Sequence, residues 1–191
     1  MKSALILAAL IIECACSGGL KAGEPEYVGS NKCKACHIKQ YKSWETSRMA
    51  AAFEVLKAGK SIESKKAQGL DPDIDYTTKD KCLSCHTTGF GKPGGFENVE
   101  KTPNLVGVGC ESCHGPGSEY IKQDLMSLQN KDHSFESVRN AGLIYPPTGE
   151  TCISLCHNEN SPFINKDQKF DFEEKKDQGI HESLPLKYKH E

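Results

Sequence analysis

Cys110-Glu111-Ser112-Cys113-His114 decides how this 191-residue chain is built, because its pattern of two cysteines followed at once by a histidine occurs four times. Three copies keep two residues between the cysteines, and the fourth has three. At these Cys and His frequencies one strict copy is expected by chance about 0.02 times. The copies use eight of the ten cysteines, and they are Cys33-Lys-Ala-Cys36-His37, Cys82-Leu-Ser-Cys85-His86, Cys110-Glu-Ser-Cys113-His114 and Cys152-Ile-Ser-Leu-Cys156-His157.

This pattern is typical of covalent attachment of c-type haem. Two thiols add to the vinyl groups along one edge of a haem, and the histidine that follows binds the iron. A Cys₄ zinc site or a disulfide framework explains the cysteine pairs but not a histidine after every pair. The sequence therefore predicts four haems, bound through Cys33, Cys36, Cys82, Cys85, Cys110, Cys113, Cys152 and Cys156, with His37, His86, His114 and His157 as proximal ligands.

The fourth motif departs from the strict spacing, since three residues separate Cys152 from Cys156. The extra residue must bulge if both thiols are to reach one haem, and His157 still follows directly. Haem attachment is the favoured interpretation here, and a disulfide or free thiols are the alternative.

Four irons need up to eight axial ligands, but only three histidines lie outside the motifs. We expect His133 and His181 to be distal ligands, with ordinary surface histidines as the alternative. His190 is next to last, where chain ends fray, and is a weaker candidate, including as a ligand to a neighbouring molecule. The chain is therefore at least one histidine short of complete bis-histidine ligation.

Met49 is the candidate that makes up this deficit, since a thioether binds haem iron and raises its potential. The alternative is a core methionine, because Met49, Phe53 and Leu56 share one face of a helix predicted over residues 42–57. Met126 is a weaker candidate. If none of these binds, one iron keeps an open distal side.

The first residues indicate export. A short positive start and a nine-residue apolar run, too short to span a membrane, predict a signal peptide over residues 1–23. Cys14 and Cys16 lie at the predicted cleavage region, so a lipid anchor is the alternative to simple cleavage. The mature chain, residues 24–191, is expected to be one domain in the periplasm, at the outer membrane or outside the cell.

Composition indicates a thin protein core. Hydrophobic residues make up 37% of the chain, and Trp44 is the only tryptophan. We therefore predict a mainly α fold in which short helices and loops wrap around four haems. Helices are expected over residues 60–70 and from an N-cap at Ser118 to Leu128, with a loop over residues 92–108.

The formal charge of −2, without a dominant basic stripe, argues against nucleic acid and leaves redox proteins as the expected partners.

Several further stretches make the chain resemble the tetrahaem cytochromes of the cytochrome c-554 family, electron acceptors in hydroxylamine oxidation. The most specific one surrounds the third motif, and the set comprises Cys33-Lys-Ala-Cys-His, Trp44, Ala50-Ala-Ala-Phe, Leu70-Asp-Pro-Asp, Asp75-Tyr-Thr, Gly89-Phe-Gly, Gly94-Gly95 and Gly107-Val-Gly-Cys-Glu-Ser-Cys-His-Gly-Pro-Gly117.

The resemblance implies a largely helical fold with stacked and perpendicular haem pairs, bis-histidine haems beside one open haem, and electron shuttling. His133 and His181 match distal ligands of the family by position. Met49 stands where the family usually has a distal histidine, the fourth motif is wider, and the C-terminal region is shorter.

Three functions follow from these observations. An electron carrier is the favoured one, because no nucleophile–base pair suggests catalysis. A small enzyme that reduces a nitrogen oxide or peroxide at an open haem is the second, and the ligand deficit favours it. The third is a subunit of a polymeric haem wire, in which His190 or another ligand is donated between molecules.

Overall fold

The computed structural model describes residues 23–127, 134–161, 170–178 and 180–185. Within these ranges the chain is helix and loop, with one isolated antiparallel bridge between Thr87 and Val106 and no β-strand. The mainly α fold predicted from the sequence is confirmed. The helices, all short, are α1 (Ser30–Lys34), α2 (Ile38–Trp44), α3 (Ile62–Ala67), α4 (Asp80–His86), α5 (Cys110–His114), α6 (Phe135–Asn140), α7 (Gly149–Leu155) and α8 (Phe172–Lys175), with 3₁₀ helices at Ala50–Leu56 and Pro103–Leu105.

Each of the four motifs lies in or beside a short helix. The third motif is the whole of α5, which ends at Gly115 with a φ of 81°. A Cβ on Gly115 would lie 2.5 Å from the carbonyl oxygen of Gly142, so glycine is required by both backbone and space. At α7, Thr148 and Thr151 form a reciprocal capping box that starts the helix just before Cys152.

The buried apolar core is small and lies in the middle of the chain. It consists of Phe53, Leu56, Leu83, Phe96 and Leu105, and the Phe53 and Phe96 rings are 5.8 Å apart. Burying such a side chain contributes about 1.5–3 kcal/mol. This cluster contains Leu83 of the second motif, and α1 of the first motif packs against the 3₁₀ helix that carries Leu105. Its small size agrees with the thin core that the composition predicted.

The helix predicted over residues 42–57 is wrong, because α2 ends at Trp44 and a separate 3₁₀ helix begins at Ala50. Hydroxyl groups in the intervening turn compete with helical hydrogen bonds. The Thr46 hydroxyl donates to the Ser43 carbonyl at 3.1 Å, and the Ala50 N–H donates to the Ser47 hydroxyl at 3.2 Å. Helix α3 does lie within the predicted range 60–70.

The helix predicted from Ser118 is also wrong, since residues 118–127 form turns. Ser118 binds a different segment instead of capping a helix. Its hydroxyl accepts from the Glu26 N–H at 2.9 Å, and its own N–H donates to the Glu26 carbonyl at 3.1 Å. A long-range pair has therefore replaced the local cap that the sequence suggested.

The predicted signal peptide, residues 1–23, lies outside the described residues except for Gly23. No helix in the described ranges has the length and apolar character needed to cross a bilayer.

Candidate haem-binding site

The second and third motif histidines are oriented for metal binding by backbone carbonyls. The Nδ1 atom of His86 lies 2.5 Å from the Ala52 oxygen, and that of His114 lies 3.0 Å from the Ile144 oxygen. Because a carbonyl only accepts, each Nδ1 must carry the proton, which leaves the lone pair on Nε2. Such an outer hydrogen bond is the usual way in which a metal-binding histidine is held.

Burial keeps these imidazoles in the neutral form that binds iron. It lowers the pKa of His86 and His114 despite the carbonyl contacts, which act in the opposite direction. Burial likewise lowers the pKa of His157. The donor set is therefore suited to a metal in its protonation state as well as its geometry.

The cysteines of different motifs lie against each other. A hydrogen bond with Cys110, together with burial, raises the pKa of Cys33, and the same contact lowers the pKa of Cys110 to about 7. The first and third attachment sites are therefore adjacent, and α1 packs against α5.

The second and fourth motifs form a matching contact. The Sγ atom of Cys85 lies 3.9 Å from the Leu155 oxygen, and that of Cys156 lies 3.9 Å from the Cys85 oxygen. Hydrogen bonding with Cys156 lowers the pKa of Cys85 to about 6, and hydrogen bonding with Cys85 raises the pKa of Cys156. All eight motif cysteines are free of disulfides.

A third contact joins these two pairs. Helix α5 packs against α7. Burial, and then the charges of Cys152 and Cys110, raise the pKa of Cys113 to about 11. The attachment sites thus follow one another in space as first, third, fourth and second.

His181 faces the third motif, as its ring centroid lies 6.3 Å from that of His114 with the planes inclined by 25°. Two imidazoles that bind the same metal from opposite sides, each at about 2 Å, would have ring centroids about 6 Å apart. The spacing therefore fits two histidines on one iron. The Tyr145 ring, 6.2 Å from His114, lies in the same aromatic neighbourhood.

The fourth motif absorbs its extra residue at the end of α7. In the first motif the His37 N–H donates to the Cys33 carbonyl, four residues back, at 2.9 Å. In the fourth motif the His157 N–H donates to the Cys152 carbonyl, five residues back, also at 2.9 Å. The wider spacing thus forms a π-type turn that keeps the histidine bonded to the first cysteine.

Phe170 packs on the ring of His157, with centroids 4.1 Å apart and planes inclined by 23°. The stacking fixes the plane of the imidazole. The sequence did not indicate that Phe170 or the carbonyls of Ala52 and Ile144 contact the motif histidines. Every residue type has a backbone carbonyl, and Phe170 lies outside the motifs.

Of the remaining candidates, Met49 lies half-buried at the start of a 3₁₀ helix. Its carbonyl accepts from Val108, two residues before the third motif, at 2.9 Å. His37 and Met126 are also half-buried. The predicted distal ligand His133 and the terminal His190 lie outside the described residues.

Apolar side chains that face solvent concentrate around the motifs. Six exposed apolar residues lie near the candidate haem ligands. Ile153 and Leu155 lie inside the fourth motif, Ile38 follows His37 and Ile180 precedes His181. Ile144 and Tyr145 lie at the carbonyl that holds His114. A bound haem is a large apolar group that such side chains would cover. Thiols, imidazoles and apolar surface therefore all fit four haems.

Comparisons with known proteins give a consistent result. The profile of the family described as cytochrome c554 and c-prime matches residues 32–115. Cytochrome c-554 of Nitrosomonas europaea is 43% identical over 104 residues, which cover 54% of this chain and 44% of that protein's length. The solved structure of reduced cytochrome c554 from the same organism superimposes with a TM-score of 0.75 at 33% identity, over 87% of this chain and 89% of that one.

Proposed function

Because the chain belongs to the cytochrome c-554 family of multihaem electron-transfer proteins with four c-type haems, we propose that it is a periplasmic carrier that shuttles electrons between redox partner proteins of a respiratory chain. The observation that carries the proposal is the pair of carbonyl-held histidines, His86 and His114, each directly after two free thiols. The relatives give no support to an outer-membrane or extracellular location.

In this proposal the cysteines of all four motifs hold the haems, and the four motif histidines bind the irons. His181 is the second ligand at the third motif, supported by its 6.3 Å ring spacing from His114. His133 and Met49 are the candidates for two of the other distal positions. Seven histidines still leave a deficit for eight axial positions.

The contacts between motifs support a single route for electrons. When bound, haem supplies one-electron exchange between ferrous and ferric iron. Two contacts, between Cys33 and Cys110 and between Cys85 and Cys156, arrange the attachment sites in two pairs. The packing of α5 against α7 joins these pairs. The protein holds the haem attachment sites close together and keeps the imidazoles neutral and oriented.

The ligand deficit supports a second candidate function. An iron without a sixth protein ligand binds small molecules, so reduction of a nitrogen oxide or peroxide at one open haem is the alternative. No described side chain is identified as an acid or base for such a reaction, and electron transfer requires none.

The test uses the full chain matured in a host that attaches haem. We expect four haems per chain by pyridine haemochrome and reversible reduction of all four by one-electron reagents. Fewer than three haems would contradict the proposal. Sustained turnover of nitrite, nitric oxide or peroxide would instead establish the second candidate.

A further inference from the structure

Glu111, inside the third motif, is the most completely buried charged side chain among the described residues, with 1% of its surface exposed. Its Oε1 atom accepts from the Gly117 N–H at 2.7 Å and the Val28 N–H at 2.9 Å. Its Oε2 atom accepts from the Gly29 N–H at 2.7 Å and, more distantly, from Val28 at 3.2 Å. Both oxygens accept, which is the pattern of an ionised carboxylate.

These donors place the charge between two attachment sites. Val28 and Gly29 immediately precede α1, which carries Cys33, and Gly117 follows the third motif. Glu111 itself adjoins Cys110, whose thiol contacts that of Cys33. The carboxylate thus lies where the first and third motifs meet.

The neighbouring groups respond to this charge. Burial, and then the charge of Glu111, raise the pKa of Tyr27. At Cys33 the same charge adds to the larger effects of Cys110 and burial, which all raise the pKa of that thiol. The field of the carboxylate therefore reaches the positions at which the first and third haems are attached.

Building on the proposed electron carrier, we propose that Glu111 is a potential-setting residue, a buried negative charge that lowers the reduction potentials of the haems at the first and third motifs together. A nearby anion stabilises ferric iron over ferrous iron, and burial limits screening by water and salt. Net charge and surroundings are established determinants of haem potential. We expect smaller shifts at the haems of the second and fourth motifs, whose cysteines do not adjoin Glu111 in the sequence.

The test is a redox titration of the holoprotein followed by NMR, in which haem methyl signals report each haem separately. Glu111→Gln removes the charge, and Glu111→Asp keeps the charge while disturbing the same amide contacts. We expect Glu111→Gln to shift the first and third potentials upward by about 59 mV, a tenfold change in each one-electron equilibrium constant. Glu111→Asp should leave both potentials near those of the natural chain.

Glu45→Gln is the matched control, because Glu45 is an exposed carboxylate at the end of α2, which packs against α1 of the first motif. It changes the net charge equally and should shift no haem by a comparable amount. Equal shifts in the Gln and Asp variants, or shifts spread over all four haems, would show that Glu111 acts only as an anchor and would overturn the proposal.

A second variant keeps the test decisive if Glu111→Gln fails to mature. A Cβ on Gly117 would contact both the Glu111 carboxylate and Ile121, so these two side chains are close neighbours. Ile121→Lys brings a positive charge near the carboxylate and should raise the same two potentials relative to Ile121→Gln. No difference between these two variants would overturn the proposal. Failure of the natural chain to bind haem would refute the proposed function instead.

Discussion

We propose that the third and fourth motifs bind the same kind of group, but the protein supports the two motifs differently. The third is one complete helix, α5, with a carbonyl behind His114, His181 opposite it and Glu111 tied to three amides. The fourth runs beyond the end of α7, reaches His157 through a π-type turn and packs that ring on Phe170. The comparison indicates that a strict motif is held by hydrogen bonds that cross the chain, whereas the widened one depends on local stacking.

The largest expected difference comes from removing the attachment thiols. Cys110→Ala with Cys113→Ala should abolish maturation of the whole protein, because α5 also carries the buried Glu111, which accepts hydrogen bonds from the Val28, Gly29 and Gly117 N–H groups. Cys152→Ala with Cys156→Ala should leave a protein with three haems. Pyridine haemochrome and the yield of soluble protein measure both outcomes. Equal losses in the two variants would remove the distinction between the motifs.

Replacing His181 should change the third site without removing its haem. His181→Ala deletes the ring that lies opposite His114, so one haem should convert from low-spin to high-spin and bind carbon monoxide. Electron paramagnetic resonance normalised to total haem measures the conversion. His114→Ala serves as the comparison, since it removes the carbonyl-held ligand. An unchanged low-spin signal in His181→Ala would contradict the assignment of His181.

Acid should act first on the fourth site. Burial lowers the pKa of His86, His114 and His157 in the folded chain, so the unfolded chain binds more protons just below a pH of about 6.5. The free energy of unfolding therefore falls as the pH drops through this window. We expect spectral change to begin at the fourth haem, because His157 is less buried than His86 and His114 and is therefore protonated more easily. Simultaneous change at all haems would contradict this order.

The smallest effect should come from the aromatic neighbours. Phe170→Leu removes the ring stacked on His157, and such pairs contribute about 0.5–1.5 kcal/mol beyond their buried area. Tyr145→Leu is the counterpart beside His114, which keeps its bond to the Ile144 carbonyl. Thermal unfolding should show the larger loss for Phe170→Leu. A larger loss for Tyr145→Leu would reverse the comparison.

Local sequence predicted much of this arrangement, because the chemistry of haem attachment requires a fixed spacing of cysteine and histidine. The helix around each motif and the shortage of apolar core follow from the same requirement. Long-range contacts could not be predicted: Ser118 binds Glu26 instead of capping a helix, and Glu111 binds amides 82 and 83 residues earlier. Nor did helical periodicity reveal that Thr46 and Ser47 hydroxyls divide the segment around Met49.

The order of the attachment sites, first, third, fourth and second, is the central claim, and a single injected electron tests it most directly. Pulse radiolysis of the fully oxidised holoprotein delivers less than one electron per molecule, and absorbance then follows its movement between haems. We predict rapid redistribution within each molecule, at a rate independent of protein concentration. In the variant Cys152→Ala with Cys156→Ala, which lacks the fourth haem, we predict loss of exchange between the second haem and the first–third pair. An electron that stays on the haem that first receives it, or that moves only by collision between molecules, would contradict the account.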